Sequence, residues 1–265
     1  MGDTLYMREW RLQVGTYDLS ELDLSFSITR DVTREPNAAT IKVYNLKDRE
    51  GIAADDFVSL SVGYLDGGYA TAFSGRVKRV HHAIDGSDIV TTIEAKDAGT
   101  SYLEGELYMS FTSARNVDIA KMLVTTMGIG EGNLRDLPVE IIDSFVCAGP
   151  SRVHLADLLR ATGHRYSIQD GALQIQKGRR PIQADSVTLI SSQTGMIGSP
   201  TVTYGKRKRD DKLTVQCAIQ AGCEPGMTVR IVSLFVDTYA EVKRVDVRGD
   251  TATEDWSMTL ECKPL

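Results

Sequence analysis

The tetrapeptide Val77-Lys78-Arg79-Val80 returns as Val242-Lys243-Arg244-Val245, and its surroundings return with it. Ahead of the first copy stands Asp56-Phe57-Val58-Ser59-Leu60-Ser61-Val62, and ahead of the second Gly226-Met227-Thr228-Val229-Arg230-Ile231-Val232. Behind them, Asp85-Gly86 leads into Thr91-Thr92-Ile93-Glu94, and Arg248-Gly249-Asp250 leads into Met258-Thr259-Leu260-Glu261. Further upstream, Ser27-Ile28-Thr29, a charged loop and Thr40-Ile41-Lys42-Val43 are echoed by Val202-Thr203-Tyr204, a charged loop and Lys212-Leu213-Thr214-Val215. Two strand-rich stretches of similar plan therefore flank a different middle. Duplication is a device for building symmetric rings, whereas catalysis has no need of it.

Alternation fixes the strands. Trp10, Leu12 and Val14 alternate with polar residues, as do Leu22, Leu24, Phe26 and Ile28, and later Ile41 and Val43. Turn formers separate the next runs: Asp66-Gly67-Gly68, then Asp85-Gly86. In the middle the period changes. Ser113 reads as the N-cap of an amphipathic helix bearing Ile119, Met122 and Leu123, ending at Met127-Gly128. A second helix starts near Ser151 and stops at Gly163, and Asp170-Gly171 closes a tight hairpin. The expected architecture is α+β and mainly β: two domains of several antiparallel strands and similar plan, residues 1–99 and 181–265, flanking a small α+β domain at 100–180.

With 265 residues, two or three modules fit in one chain. A net charge of −6 does not suggest a dedicated nucleic-acid binder. No apolar run is long enough to span a bilayer, and Met1-Gly2-Asp3-Thr4 is not a secretory leader, so folding in a cytosol is expected. Cys147, Cys217, Cys223 and Cys262 form no CxxC pair, and buried free thiols are the expectation.

Residues that could carry chemistry do not assemble into a motif. His81 and His82 are neighbours on a strand and point to opposite faces, which suits no shared metal. His154 and His164 flank the second helix. The acidic pairs Asp55-Asp56, Asp210-Asp211 and Glu254-Asp255 sit at turns or strand starts, where carboxylates are solvated. Gly128-Ile129-Gly130-Glu131-Gly132 follows a helix instead of opening one, so it reads as a C-cap and turn, not a phosphate loop. No catalytic residue, cofactor or metal site is expected. The charged loops of the two repeats are the candidate subunit contacts: Arg30, Arg34 and Glu35 in the first, Lys206, Arg207, Lys208 and Arg209 in the second.

Three stretches carry a family resemblance. Ser27-Ile28-Thr29-Arg30 with Arg34-Glu35-Pro36-Asn37 and Ile41-Lys42-Val43-Tyr44-Asn45-Leu46 resembles the opening of bacteriophage tail hub proteins. Leu158-Leu159, then Thr162-Gly163-His164-Arg165-Tyr166-Ser167-Ile168-Gln169-Asp170-Gly171-Ala172-Leu173-Gln174-Ile175, is similar to the middle of the late-control-D and baseplate-hub group. Met196-Ile197-Gly198-Ser199-Pro200, Pro225-Gly226 and the closing Tyr239 to Glu261 fit that group's last domain.

The resemblance implies that the two flanking domains are tube-like antiparallel β-barrel domains, and that the protein is a homotrimer whose six similar barrels cap a six-fold tail tube and lead to a three-fold central spike or tip. Tail tube, spike, tape measure and wedge proteins would be its partners, with DNA passing through transiently, and its place would be the virion baseplate. Lytic or piercing activity would reside in another chain. The competing readings are a tail-associated peptidoglycan hydrolase using a carboxylate pair and a carbohydrate-binding module, the latter disfavoured by aromatics that fall in strand alternation.

Overall fold

The computed structural model of the chain describes residues 7–47, 51–65, 68–178, 180–182, 187–207, 211–220 and 223–265. The first repeat contains β1 (Arg8–Val14), β2 (Tyr17–Asp18), β3 (Leu24–Asp31), β4 (Ala38–Tyr44), β5 (Phe57–Tyr64), β6 (Gly68–Asp85) and β7 (Asp88–Lys96). The middle runs α1 (Thr100–Glu104), β8 (Glu106–Arg115), α2 (Asn116–Thr126), a 3-10 turn at Leu134–Asp136, β9 (Ile141–Pro150), α3 (Ser151–Ala161), β10 (His164–Gln169) and β11 (Ala172–Lys177). The second repeat contains β12 (Thr188–Ser191), β13 (Met196–Thr203), β14 (Lys212–Cys217), β15 (Thr228–Val232), β16 (Asp237–Asp250) and β17 (Trp256–Pro264). The protein is mainly β, its sheets almost wholly antiparallel, with three helices among the described residues.

The chain divides into two compact units. The first joins residues 1–32, 38–96 and 181–265, so both repeats share it; the second holds 33–37 and 97–180. In the first unit the two repeats are wired alike. The order β3-β4-β7-β6-β5 in one is matched by β13-β14-β17-β16-β15 in the other. The joint between them is an antiparallel pairing of β16 with β3, from Arg244 opposite Asp31 to Asp250 opposite Ser25. The result is one continuous thirteen-stranded sheet. No pairing among the described residues closes either repeat into a barrel. Alternation reports faces, not edges, and so points to two separate strand-rich domains; the β3–β16 joint consumes an edge that a separate domain would have to protect.

Alternation puts one face of each strand into the core. Leu24, Phe26 and Ile28 of β3 and Trp256, Met258, Leu260 and Cys262 of β17 are buried at every second position. Each large aliphatic or aromatic side chain removed from water contributes about 1.5–3 kcal/mol. β3 runs further than the turn former at Pro36 suggests: Arg30 is not in the charged loop but in the strand, on the same inward face and only 5% exposed.

The second unit has its own core of Tyr102, Leu123, Leu134, Leu155, Leu159 and Ile168 with their neighbours. Ser113 is not the N-cap of α2. It lies in β8 with φ of 50°, and the helix begins at Asn116 after Arg115. Fully buried Asn116 sets that start: its Oδ1 accepts from the N–H of Val117 and of Glu140, and its Nδ2 donates to the Pro138 carbonyl. Asp118 in the first turn satisfies the helix dipole and pairs with Arg115 at 2.7 Å. Gly128 (φ 64°) ends the helical segment, and Gly130 then pairs with the β10–β11 hairpin through Gly171 and Leu173. The glycine-rich stretch is thus a structural turn. Asp170 and Gly171 (φ 51° and 76°) make the tight hairpin that Asp-Gly encodes.

Candidate subunit interface

The repeated tetrapeptide marks a local geometry that is built twice. Both copies carry a β-bulge at the same place, between Val77 and Arg79 in β6 and between Val242 and Arg244 in β16. An extra residue there kinks the strand and re-aims the side chain after it. As a result Arg79 stands opposite Glu94 and Arg244 opposite Glu261. Arg79 donates to both oxygens of Glu94 at 2.9 and 2.8 Å, and this hydrogen bonding holds the Glu94 carboxyl below its ordinary range. Arg244 turns along its own strand to Asp246, at 2.8 Å from Nε.

The β3–β16 seam displays how one repeat meets the other. Thr29 of β3 donates to Asp246 of β16 at 2.7 Å, and the N–H of Val32 donates to the Lys243 carbonyl at 3.1 Å. Burial of Asp246 opposes its ionisation, but the bonds from Arg244 and Thr29 outweigh this and its pKa falls below 3.8. Close by, the Lys243 ammonium lies 2.5 Å from buried Glu241.

The loops singled out from the sequence do occupy equivalent positions, between β3 and β4 and between β13 and β14. Their members fare differently. Arg30 lies in the first unit with its side chain in the interior, opposite Val245 across the seam. Arg34 and Glu35 belong to the second unit and are exposed. They line a cavity of about 210 Å³ with Tyr102, Arg152, Asp157 and Arg160, a surface of mixed sign. The Tyr102 hydroxyl donates to the Arg34 carbonyl, and burial and then the neighbouring Tyr166 push the Tyr102 pKa up. Lys206 and Arg207 are exposed in a loop closed by the Gly205 N–H donating to Asp211 at 2.9 Å. Lys208 and Arg209 lie outside the described residues. Arg34 and Glu35 thus share the wall of one cavity, and Lys206 and Arg207 one exposed loop.

Apolar side chains missed in the sequence reading project from the strand ends. Leu234 and Phe235, between β15 and β16, are 88% and 85% exposed. Leu65 and Tyr69 occupy the corresponding hairpin of the first repeat, and Ile84 and Tyr204 are each 80% exposed. Their signal in the sequence was a large apolar residue inside a turn, which alternation alone does not flag.

Several of the titratable groups weighed for chemistry have local structural partners. His82 Nδ1 is 3.0 Å from the Thr91 hydroxyl, His154 Nε2 accepts from the Ala148 N–H, and His164 Nδ1 is 3.0 Å from Thr162. Asp56 accepts from the N–H of Ala53. Among the described residues no three His, Cys, Asp or Glu side chains are placed to hold a metal.

The sequence matches no protein-family model and no curated protein. The fold does have relatives among solved structures. A 43 kDa tail protein of prophage MuSo2 from Shewanella oneidensis superposes with a TM-score of 0.70, covering 97% of this chain and 98% of its own at 12% identity. The chain has the fold of phage tail proteins. A tail protein from Neisseria meningitidis gives a TM-score of 0.71 over 97% of each chain at 10% identity. An Escherichia coli component of the type VI secretion system, itself similar to the T4 bacteriophage tail proteins gp27 and gp5, gives 0.64 over 96% of this chain and 76% of its own at 9% identity. The likeness to tail proteins thus covers both repeats and the middle together.

Proposed function

We propose that the protein is a structural component of a phage tail, acting as the trimeric hub that joins a six-fold tail tube to a three-fold spike or tip. The observation that carries this reading is the duplication of strand wiring within one chain: three chains would present six equivalent repeats. The near full-length likeness to tail proteins supports it. In this reading residues 1–99 and 181–265 each form a tube-like barrel domain when assembled, 100–180 is the α+β domain, and the ring encloses part of the genome channel.

The mechanism is geometric, not catalytic. Open strand edges and exposed apolar tips such as Leu234 and Phe235 are unusual on a protein that works alone and suit one that is covered by neighbours. Arg34, Glu35, Lys206 and Arg207, with Lys208 and Arg209, would set register at the polar rim. Arg30 already places its side chain inside the chain. Tube, spike, tape measure and wedge proteins are the proposed partners, and the virion baseplate the proposed location.

Light scattering coupled to size exclusion tests the reading. The expected mass is that of three chains, with rings that bind purified tail tube. A clean monomer that also fails to bind tube would overturn it.

A further inference from the structure

Within the chain, the C-terminal half of β16 is held between β17 and β3. The equivalent half of β6, Arg79 to Asp85, pairs among the described residues with β7 alone. Conversely, β3 lies between β4 and β16, whereas its equivalent β13 pairs among the described residues only with β14. The repeat therefore leaves two complementary edges unused, one on each half. Applying the β3–β16 joint a second time brings these edges together, but only if they come from different copies.

Resting on the reading of the chain as a ring-forming hub, we propose that neighbouring copies join by antiparallel strand addition, β6 of one copy pairing with β13 of the next in the register of the β16–β3 seam. The register follows from matched pairs. Val80 opposite Ile93 corresponds to Val245 opposite Leu260, so Val80 matches Val245. Leu260 also faces Val215, just as Ile93 faces Ile41, so Ile41 matches Val215 and Ala39 matches Leu213. Ile28 and Val202, the partners of Ala39 and Leu213, then match. Since Val247 faces Ile28 in the seam, His82 of one copy faces Val202 of the next. His81 faces Thr203 and Val80 faces Tyr204.

The surface agrees with this placement. Every residue from His81 to Gly86 is exposed, and so are Thr203 and Thr201, which the register sets opposite His81 and Ala83. His81 and Thr203 replace Asp246 and Thr29, the pair that bonds across the internal seam at 2.7 Å, and they retain a polar couple at that position. The N-terminal part of β13 is closed to pairing by a bulge between Ile197 and Thr201, by Gly198 at φ 70° and by Pro200. These are edge-blocking devices. In the seam register Pro200 falls opposite Ile84, so the pairing is confined to Thr201 onward, against Arg79 to Ala83. A head-to-tail contact of this kind closes a ring when its rotation allows.

His81 and Thr203 would form a non-hydrogen-bonded pair, as Thr29 and Asp246 do, with Cα atoms about 4.5 Å apart and within disulfide reach. The test mixes two separately purified full-length variants, His81→Cys and a mass-tagged Thr203→Cys, under mild oxidation. The native thiols are all buried. A reducible product of one tagged and one untagged chain is expected, and His82→Cys, one residue out of register, should give none. Oligomers of the expected mass that yield no such product would overturn the strand pairing and leave the hub reading standing. Monomers that give no product at the highest soluble concentration would overturn both.

Discussion

Asp55 and Gly226 occupy the same point of the two repeats and share one backbone geometry. Both have left-handed φ, 67° and 89°, and both donate an N–H to the valine that opens the repeated tetrapeptide, Val77 at 2.8 Å and Val242 at 2.7 Å. Each valine returns a hydrogen bond to the next residue, Asp56 or Met227. Asp tolerates this conformation at a cost that Gly avoids. Asp55→Gly should therefore be neutral or stabilising by up to about 1 kcal/mol, and Gly226→Ala destabilising by about 1–2 kcal/mol. Urea denaturation of the two variants checks the opposite signs.

That correspondence explains which parts of the fold could be read from the sequence. Val77 and Val242 are buried at fixed positions beside a bulge, so packing and backbone together constrain the tetrapeptide, and the repeat is visible. The hairpin turns at Asp85-Gly86 and Asp170-Gly171 were legible because Gly86, Asp170 and Gly171 adopt the positive φ that favours Gly and Asp. The β3–β16 seam was not, because edge pairing leaves no pattern on the strand's own faces. Nor were β8 and β9, whose exposed and half-buried residues obscure the alternation. Of the interface candidates, Lys206 and Arg207 were legible as exposed charge, while Arg30 was misplaced because its strand runs past the first charged residue.

Gly132 separates backbone strain from steric exclusion. Its φ is 52°, and a Cβ there would stand 1.7 Å from the Leu173 carbonyl oxygen. Gly86 has a similar φ of 62° but meets nothing within 4 Å. Gly86→Ala should cost only the conformational penalty of about 1 kcal/mol, whereas Gly132→Ala adds a backbone clash and should cost at least about 2 kcal/mol. Thermal unfolding of the pair measures the difference. Equal losses would contradict the close approach at Gly132.

The thiols should be silent in the native protein. Burial pushes Cys223 and Cys262 up to about 12 and raises Cys217 and Cys147 as well. A thiol reacts as its thiolate, so a mild disulfide reagent at neutral pH should titrate none of the four rapidly and all four after denaturation. Rapid modification of Cys217 in the folded chain would refute this arrangement.

Asp246 makes the seam between the repeats acid-sensitive. Its folded pKa lies below the ordinary 3.8 because its bonds to Arg244 and Thr29 outweigh the opposing effect of burial. A depressed carboxyl pKa contributes stability that is present above the unfolded value and lost as pH falls through the folded one. Wild type should exceed Asp246→Asn in melting temperature at pH 7, and the gap should narrow as pH drops from 3.8 downward. The Asn variant keeps the side-chain shape and can still accept from Thr29, so the narrowing isolates the charge from the packing. A gap that stays constant down to acid unfolding would mean that the carboxylate's ionisation contributes nothing to the β3–β16 joint.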